Sequence, residues 1–474
     1  MRGFEVLFMA ALAWLILLPL LKVKWRSVAM DGVFGVAVLA LVGHLWFEGW
    51  RWQMVPLYGL LLGVGWLSLK YASLPQQTGL KARPASVVIR FPLLLLWAGL
   101  VLPPVLVPVP DLPQPSGPFA IGTRTLYLVD ENRAEIYGPT PGEPRELMVQ
   151  VWYPAQPPTR PNRVETAPYM QPLNVIGPAL GREFGLPPVM FSHLNLAYGH
   201  AMPNAPGNRF GGPYPVVVMS HGWSGLRTQS TYLVEALASH GYVVIAIDHS
   251  YGATVTVFPD GRAAFIDNNA LPAGVSAAEY AEAADTLGSW WAADIRFVLD
   301  QLPGWQAVGG QFEGLINRER VALMGHSTGG GAAVEACWRD TRCKAVVGLD
   351  VWMPPVAQGA VDAGLAMPAL YLYSEIWPND QPSRIARLDR LIANSSGAHW
   401  WIEVEGAHHY NFTDFPQLTP LLGPAGLSVG PIEHRQMVAI VTGYTLDFLD
   451  VHLKTREASL LNTWPSPYPE ASLR

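Results

Sequence analysis

The chain is poor in charge, poorer still in cysteine, and has no dense basic stretch. Only 14% of its 474 residues are charged and 50% are hydrophobic, against roughly 25% charged in an average soluble domain. Part of the chain is therefore expected to lie in a membrane. The two cysteines, Cys337 and Cys343, exclude a disulfide scaffold, and neither stands beside thiols or histidines at a zinc-ligand spacing. They either close a small loop in an oxidising compartment or remain as two buried thiols. A net charge of -6 with no basic stripe in the C-terminal region leaves no electrostatic footprint for nucleic acid, and that partner is set aside.

What is present is apolar and unevenly placed. Four runs, near 6–21, 33–47, 54–69 and 91–107, each approach the roughly 20 apolar residues that cross a hydrocarbon core. The first has no convincing small-residue cleavage site and three similar runs follow it. A bundle of about four transmembrane helices over 1–110 is expected rather than a cleaved signal peptide. Lys22, Lys24 and Arg26 follow the first run, and Lys70, Lys81, Arg83 and Arg90 separate the third from the fourth, which places both loops on the cytoplasmic side. The fourth helix then delivers everything after Val107 to the opposite face. The prediction is a multi-pass cell-membrane protein with an extracytoplasmic C-terminal domain.

Prolines crowd the segment 103–118, which cannot continue a helix, so 111–120 is expected to be a Pro-rich linker. Beyond it, over 121–474, short β-rich runs alternate with helical patterns, which argues for an α/β domain with a mostly parallel sheet. Eight strands are predicted, at 125–129, 147–152, 215–220, 242–247, 320–324, 345–349, 369–373 and 400–404. Apolar residues at helical spacing, such as Leu233 with Leu237 and Met437, Val441, Tyr444, Phe448 and Val451, are read as core. The stretch 155–212 is long for a connection and mixes prolines with Tyr169, Met170, Phe184, Met190, Phe191, Leu196 and Tyr198. It is either surface packing or a lid-like excursion beside an active site. The tail from Glu457 onward reads as loosely ordered surface chain.

The most informative segment is Gly325-His326-Ser327-Thr328-Gly329, entered from the apolar run Val321-Ala322-Leu323-Met324 and followed by Gly330-Gly331-Ala332-Ala333. It has the form of a nucleophile elbow, a strand-to-helix turn that lifts a serine hydroxyl clear of a sheet. Such a serine needs an imidazole to accept its proton and a carboxylate to orient that imidazole. His408 and His409 follow the last predicted strand, and spacing alone does not choose between them. For the acid, Asp350 ends the sixth strand, while Glu375 and Asp380 lie just beyond the seventh. Two backbone N–H groups are placed to stabilise a developing oxyanion, those of Thr328 after the serine and Trp223 in Ser220-His221-Gly222-Trp223. His221 and His326 belong to turns beside the site and are read as structural. A metal site at the adjacent histidines is the weaker reading, and no metal or organic cofactor is implied.

These blocks carry a family likeness. Val217-Val218-Met219-Ser220-His221-Gly222 with Leu237-Ala238-Ser239-His240-Gly241-Tyr242, the elbow with Gly348-Leu349-Asp350-Val351-Trp352-Met353, and His409-Tyr410-Asn411-Phe412 together resemble the platelet-activating factor acetylhydrolase family of calcium-independent phospholipases A2. The resemblance covers roughly 145–454, in separated blocks, and implies an α/β-hydrolase fold. It also implies Ser327 as nucleophile, Asp350 as acid and His409 as base, with Trp223 and Thr328 lining the oxyanion hole. The four apolar runs and the residues Trp223 and Thr328 depart from the family's pattern.

The expected activity is that of a membrane-anchored serine carboxylic-ester hydrolase, acting on short-chain acyl esters of lipids or other amphipathic molecules. Its partners would be that ester and the bilayer. Cutinase-like polyester cleavage and acyl transfer use the same acyl-enzyme and are the neighbouring alternatives. A membrane scaffold or transporter with a hydrolase-like binding domain is disfavoured, because the apolar runs carry almost no internal polar groups beyond His44.

Overall fold

The computed structural model describes residues 2–18, 26–72, 82–160, 164–377, 382–424 and 426–474. By contact density the chain divides into two compact units. One comprises Met1–Pro110 with the short segments Pro187–Ala197 and Leu418–Leu421, and the other comprises Asp111–Leu186, Tyr198–Gln417 and Leu422–Arg474.

Among the described residues the first unit contains four α-helices, α1 (Gly3–Leu17), α2 (Arg26–Gly43), α3 (Val55–Ala72) and α4 (Ala82–Leu106). The expectation of four membrane-spanning helices needs correction. Among the described residues one stretch, Val28–Glu48, is long and apolar enough to cross a membrane, while Gly3–Leu17, Trp52–Leu67 and Arg90–Leu106 are shorter. The 15 residues of α1 rise only about 22 Å at the helical repeat, short of a core about 30 Å thick. Lys22, Lys24 and Lys81, which carried part of the topology argument, lie outside the described residues. This unit also buries more polarity than the sequence suggested. Glu5 is fully buried and receives both Nε and Nη2 of the buried Arg51, at 2.7 and 2.8 Å. His44 meets Tyr58 at 2.5 Å and Glu48 at 3.1 Å. Glu5, His44 and Glu48 come within 4.8 Å of one another, but Arg2 and Arg51 already neutralise Glu5, so the cluster is an ion-pair hub.

The second unit is built on a mixed ten-stranded sheet, not the eight mostly parallel strands expected. In chain order its strands are β1 (Ala120–Ala134), β2 (Pro144–Ala155), β3 (Met202–Pro203), β4 (Tyr214–Ser220) and β5 (Val243–Asp248). A separate hairpin, β6 (Val255–Val257) and β7 (Ala263–Phe265), follows before β8 (Ile316–His326), β9 (Cys343–Leu349), β10 (Ala369–Ser374), β11 (His399–Val404) and β12 (Ala471–Leu473). The sheet order is β12-β11-β10-β9-β8-β4-β5-β2-β1-β3. Strands β11 through β5 are mutually parallel, whereas β2 is antiparallel to both β5 and β1, and β12 is antiparallel to β11. Seven of the eight predicted segments fall within these strands, and the eighth, 242–247, starts one residue before β5. The two unpredicted members, β3 and β12, are edge strands of two and three residues, too short to carry a periodic signal.

Central strands read as unbroken apolar runs because both faces are covered. Val216 and Val218 of β4 enter one core layer, with Trp291, Ile295 and Val298 of the long helix Ala277–Gln306. Val217 and Met219 enter the other, with Leu233 and Leu237 of Thr231–Ser239 and with Met437, Val441, Tyr444 and Phe448 of the C-terminal helix His434–Lys454. Val451, expected on that stripe, is only half-buried, and Leu453 takes the buried position. The tail from Glu457 is not loose. Asp447 accepts the N–H groups of Ser459 and Leu461, Trp464 stacks on Tyr444, and β12 closes the sheet edge. Cys337 and Cys343 are joined as a disulfide, with Cα atoms 5.2 Å apart.

Candidate active site

Ser327 stands between the end of β8 and the start of helix Thr328–Arg339, at φ 53° and ψ −119°. A non-glycine residue at positive φ is strained, and such strain persists only where the surroundings hold it. Here two backbone bonds do so: Ser327 N–H donates to Leu349 O at 2.9 Å, and Trp352 N–H donates to Ser327 O at 3.0 Å. The flanking glycines Gly325 and Gly329 are needed for close approach of backbones and not for a left-handed conformation. Neither has positive φ. A Cβ on Gly325 would lie 2.2 Å from Gly329 O, and one on Gly329 would lie 2.3 Å from His221 O, so the elbow, its helix and the β4 loop are in close backbone contact.

The same loop geometry brings the candidate acid and the candidate base together. Asp350, also at positive φ, leaves β9 and is fully buried. Its carboxylate accepts His409 Nδ1–H at 2.8 Å, Ser374 N–H at 2.8 Å and the Ser374 hydroxyl at 2.8 Å. His409 opens the turn after β11, and Trp377 stacks flat on its ring, centroids 4.1 Å apart at 10°. Ser327 and His409 keep 8% and 9% exposure while Asp350 has none, so solvent reaches the hydroxyl and the imidazole but not the carboxylate. Among the described residues no hydrogen bond joins the Ser327 hydroxyl to His409. Bonds of this kind often tighten only with substrate present. Of the other acid candidates, Glu375 accepts Gly406 N–H at 2.8 Å, and Asp380 lies outside the described residues.

The two proposed oxyanion donors come from separate segments, the loop after β4 and the first residue of the helix after Ser327. Thr328 is the first residue of its helix, where no intrahelical acceptor exists for its N–H. Among the described residues neither that N–H nor Trp223 N–H is donated to another group. Gly222 lets its loop press on the elbow, since a Cβ there would come within 2.9 Å of His326 Nδ1 and 3.3 Å of Ser327 Cβ.

The neighbouring histidines are braces. His326 Nε2–H donates to His409 O at 3.0 Å while its Nδ1 accepts from Gln229 Nε2 at 3.0 Å. Both ring nitrogens are used and the ring is neutral, since burial, then the nearby His409, pushes its pKa well down. A second Ser–His–Asp array lies behind β4. Ser220 Oγ meets His249 Nε2 at 2.8 Å and His249 Nδ1 meets Asp294 Oδ2 at 2.8 Å. All three are buried, and Trp291 stacks on His249 at 4.1 Å, so no ester can reach them. Burial holds His249 down at about 3. Asp294 is raised by burial, but Arg145 and Arg133 outweigh this and keep it ionised. Ser374, Trp377, Gln229 and this array carry no motif, and sequence reasoning missed them.

A cavity of about 300 Å³ is walled by Tyr169, Met170 and Ile176 of the 155–212 excursion, and by Leu226, Arg227 and Thr228 of the loop that carries Trp223.

Comparison with known proteins bears on the whole arrangement. The family model described as "Platelet-activating factor acetylhydrolase, isoform II" matches residues 109–271 and 304–465, and a dienelactone hydrolase family model matches 200–375. The platelet-activating factor acetylhydrolase of Cavia porcellus is 25% identical over 366 residues, 72% of this chain and 78% of that protein. That of Canis lupus familiaris is 26% identical over 299 residues, and there the match spans 59% of this chain and 66% of that protein's length. A probable 1-alkyl-2-acetylglycerophosphocholine esterase of Arthroderma benhamiae is 24% identical over 392 residues, 76% and 92% of the two chains. A solved structure of a ferulic acid esterase from Streptomyces cinnamoneus superposes with TM-score 0.62 at 28% identity, covering 77% of this chain and 99% of that one. The fold is that of an α/β-hydrolase, and the chain belongs to the platelet-activating factor acetylhydrolase isoform II family.

Proposed function

We propose that this protein is a serine carboxylic-ester hydrolase held at a membrane by its apolar N-terminal unit. The observation that carries the reading is the 2.8 Å His409–Asp350 pair beside a strained serine elbow with two unengaged N–H groups. Ser327 Oγ attacks the ester carbonyl carbon as its proton passes to His409 Nε2, and Asp350 stabilises the imidazolium. The carbonyl oxygen takes the negative charge facing Trp223 and Thr328 N–H, each such donor contributing roughly 3 kcal/mol. Collapse expels the alkoxide, which takes the proton from His409. Water then attacks the acyl-enzyme with His409 again as base, and a carboxylic acid leaves. The scheme requires no metal or organic cofactor. Ser327→Ala should abolish turnover of a short-chain nitrophenyl ester and labelling by a fluorophosphonate; full turnover in that variant refutes the mechanism.

For substrate we favour short-chain acyl esters of lipids, supported by the names of the acetylhydrolase relatives and by the apolar N-terminal unit. A more open ester site has its own support, since a Thermobifida alba cutinase is 26% identical over 207 residues. Turnover of glycerophospholipids against polyester films separates the two. The membrane-length helix Val28–Glu48 would serve as anchor and the C-terminal domain would lie outside the cytoplasm, which suits a formed Cys337–Cys343 bond. A reporter active only in the cytoplasm, fused after Asp111, should stay silent, and a strong signal overturns this placement.

A further inference from the structure

We infer that Gln229 is a positioning residue that ties the oxyanion loop, the nucleophile elbow and the catalytic base into one hydrogen-bonded unit, an inference that rests on the hydrolase reading above. Every polar group of Gln229 is committed. Its Oε1 accepts Gly222 N–H at 3.2 Å, and its Nε2 donates to His326 Nδ1 at 3.0 Å. Its backbone N–H donates to Leu226 O at 2.9 Å, and its carbonyl accepts Asp414 N–H at 2.8 Å. From His326 the path continues through Nε2–H to His409 O at 3.0 Å. One amide side chain thus bridges the residue before Trp223, the residue before Ser327 and, through His326, the backbone of His409. Gly225 keeps this route open, because a Cβ there would stand 2.2 Å from Gln229 Oε1.

The chemistry of the bridge selects glutamine. It must accept from an N–H and donate to an imidazole nitrogen at once, and an amide does both without charge. Donation to Nδ1 fixes the His326 tautomer with its proton on Nε2, the proton that holds His409 O. An apolar residue would leave a buried N–H and a buried imidazole nitrogen unpaired. A carboxylate keeps the Gly222 bond but can meet His326 only when Nδ1 also carries a proton. The titratable groups facing His326 are His409, with ring centroids 4.5 Å away, and His221.

The test uses the full chain and two variants. In Gln229→Ala, kcat on a short-chain nitrophenyl ester should fall about 10- to 100-fold with KM within about twofold, as for a displaced oxyanion donor. Gln229→Glu should keep partial activity and acquire a new alkaline limb in its kcat profile, because activity then requires a doubly protonated His326 that is lost as pH rises. A purely structural residue would lower the melting temperature without adding that limb. If Gln229→Ala does not fold, Gln229→Glu decides alone. A Gln229→Ala enzyme with kcat within about twofold of the parent, or a Gln229→Glu profile of unchanged shape, overturns the inference. Parent turnover that vanishes in Ser327→Ala secures the hydrolase reading separately, and a parent with no turnover removes both.

Discussion

Ser374 shows how much of a site can rest on a residue with no motif. Its N–H and hydroxyl supply two of the three polar contacts to the Asp350 carboxylate. Bonds to a charged group are worth about 1.5 to 3 kcal/mol each. Removing the hydroxyl in Ser374→Ala leaves the carboxylate less stabilised and more attractive to a protonated His409. The expected outcome is a kcat/KM lower by about tenfold, and initial rates on a short-chain nitrophenyl ester check it. The elbow around Ser327 and Thr328 was legible because it announces itself in local sequence, whereas Asp350 stood level with Glu375 and Asp380 until the family likeness favoured it. Ser374, Trp377 and Gln229 were not legible, because each matters only through a partner that arrives from another loop. The choice of His409 over His408, left open by spacing and suggested by family likeness, corresponds in space to the ring that faces Asp350.

At the scale of elements, the long helix Ala277–Gln306 does more than cover the sheet. It delivers Asp294, which receives Arg145 Nε and Nη2 at 3.1 and 2.7 Å and also holds His249 behind β4. Arg145 is fully buried and shares Asp294 with Arg133, so Asp294→Asn would leave Glu135 as the one carboxylate paired with the core guanidinium. Breaking a buried pair from one side costs about 3 to 5 kcal/mol. Urea unfolding should show a loss of that size, and a change under about 1 kcal/mol would refute the role given to this network. The eight predicted strands were legible from apolar runs between turn residues. The edge strands β3 and β12 were not, since two or three residues adopt strand geometry only when a neighbouring edge offers them hydrogen bonds. The four apolar runs did become helices, but among the described residues only the stretch Val28–Glu48 is long and apolar enough to cross a membrane.

At the scale of the molecule, buried histidines set the response to acid. His221, His249 and His326 all have pKa values pushed below 6.5, with burial the largest cause. Once unfolded they bind protons below about 6.5 that the folded protein refuses, so their contribution is intact above that pH and is lost as pH falls below it. Asp414 opposes them. Burial raises it to about 7, so folded protein holds a proton there that unfolded chain releases above its ordinary 3.8, and its term favours folding as pH falls from 7 towards 4. Burial also holds His434 at about 4, so the lowered histidines outnumber Asp414 and Glu403, the carboxyls that burial raises against them, and the melting temperature should drop between pH 7 and pH 5. A melting temperature that rises over that interval contradicts the balance.

The sequence by itself determined the elbow, the parallel core of the sheet and the types of residue available as nucleophile, acid and base, because these depend on local periodicity and turn chemistry. Only the tertiary structure decided which carboxylate meets which imidazole, that Cys337 and Cys343 pair, and that glycines beside Ser327 serve close approach of backbones and not positive φ. Those outcomes depend on distances between segments far apart in the chain, and such distances exist only once the sheet has brought its loop ends to one edge.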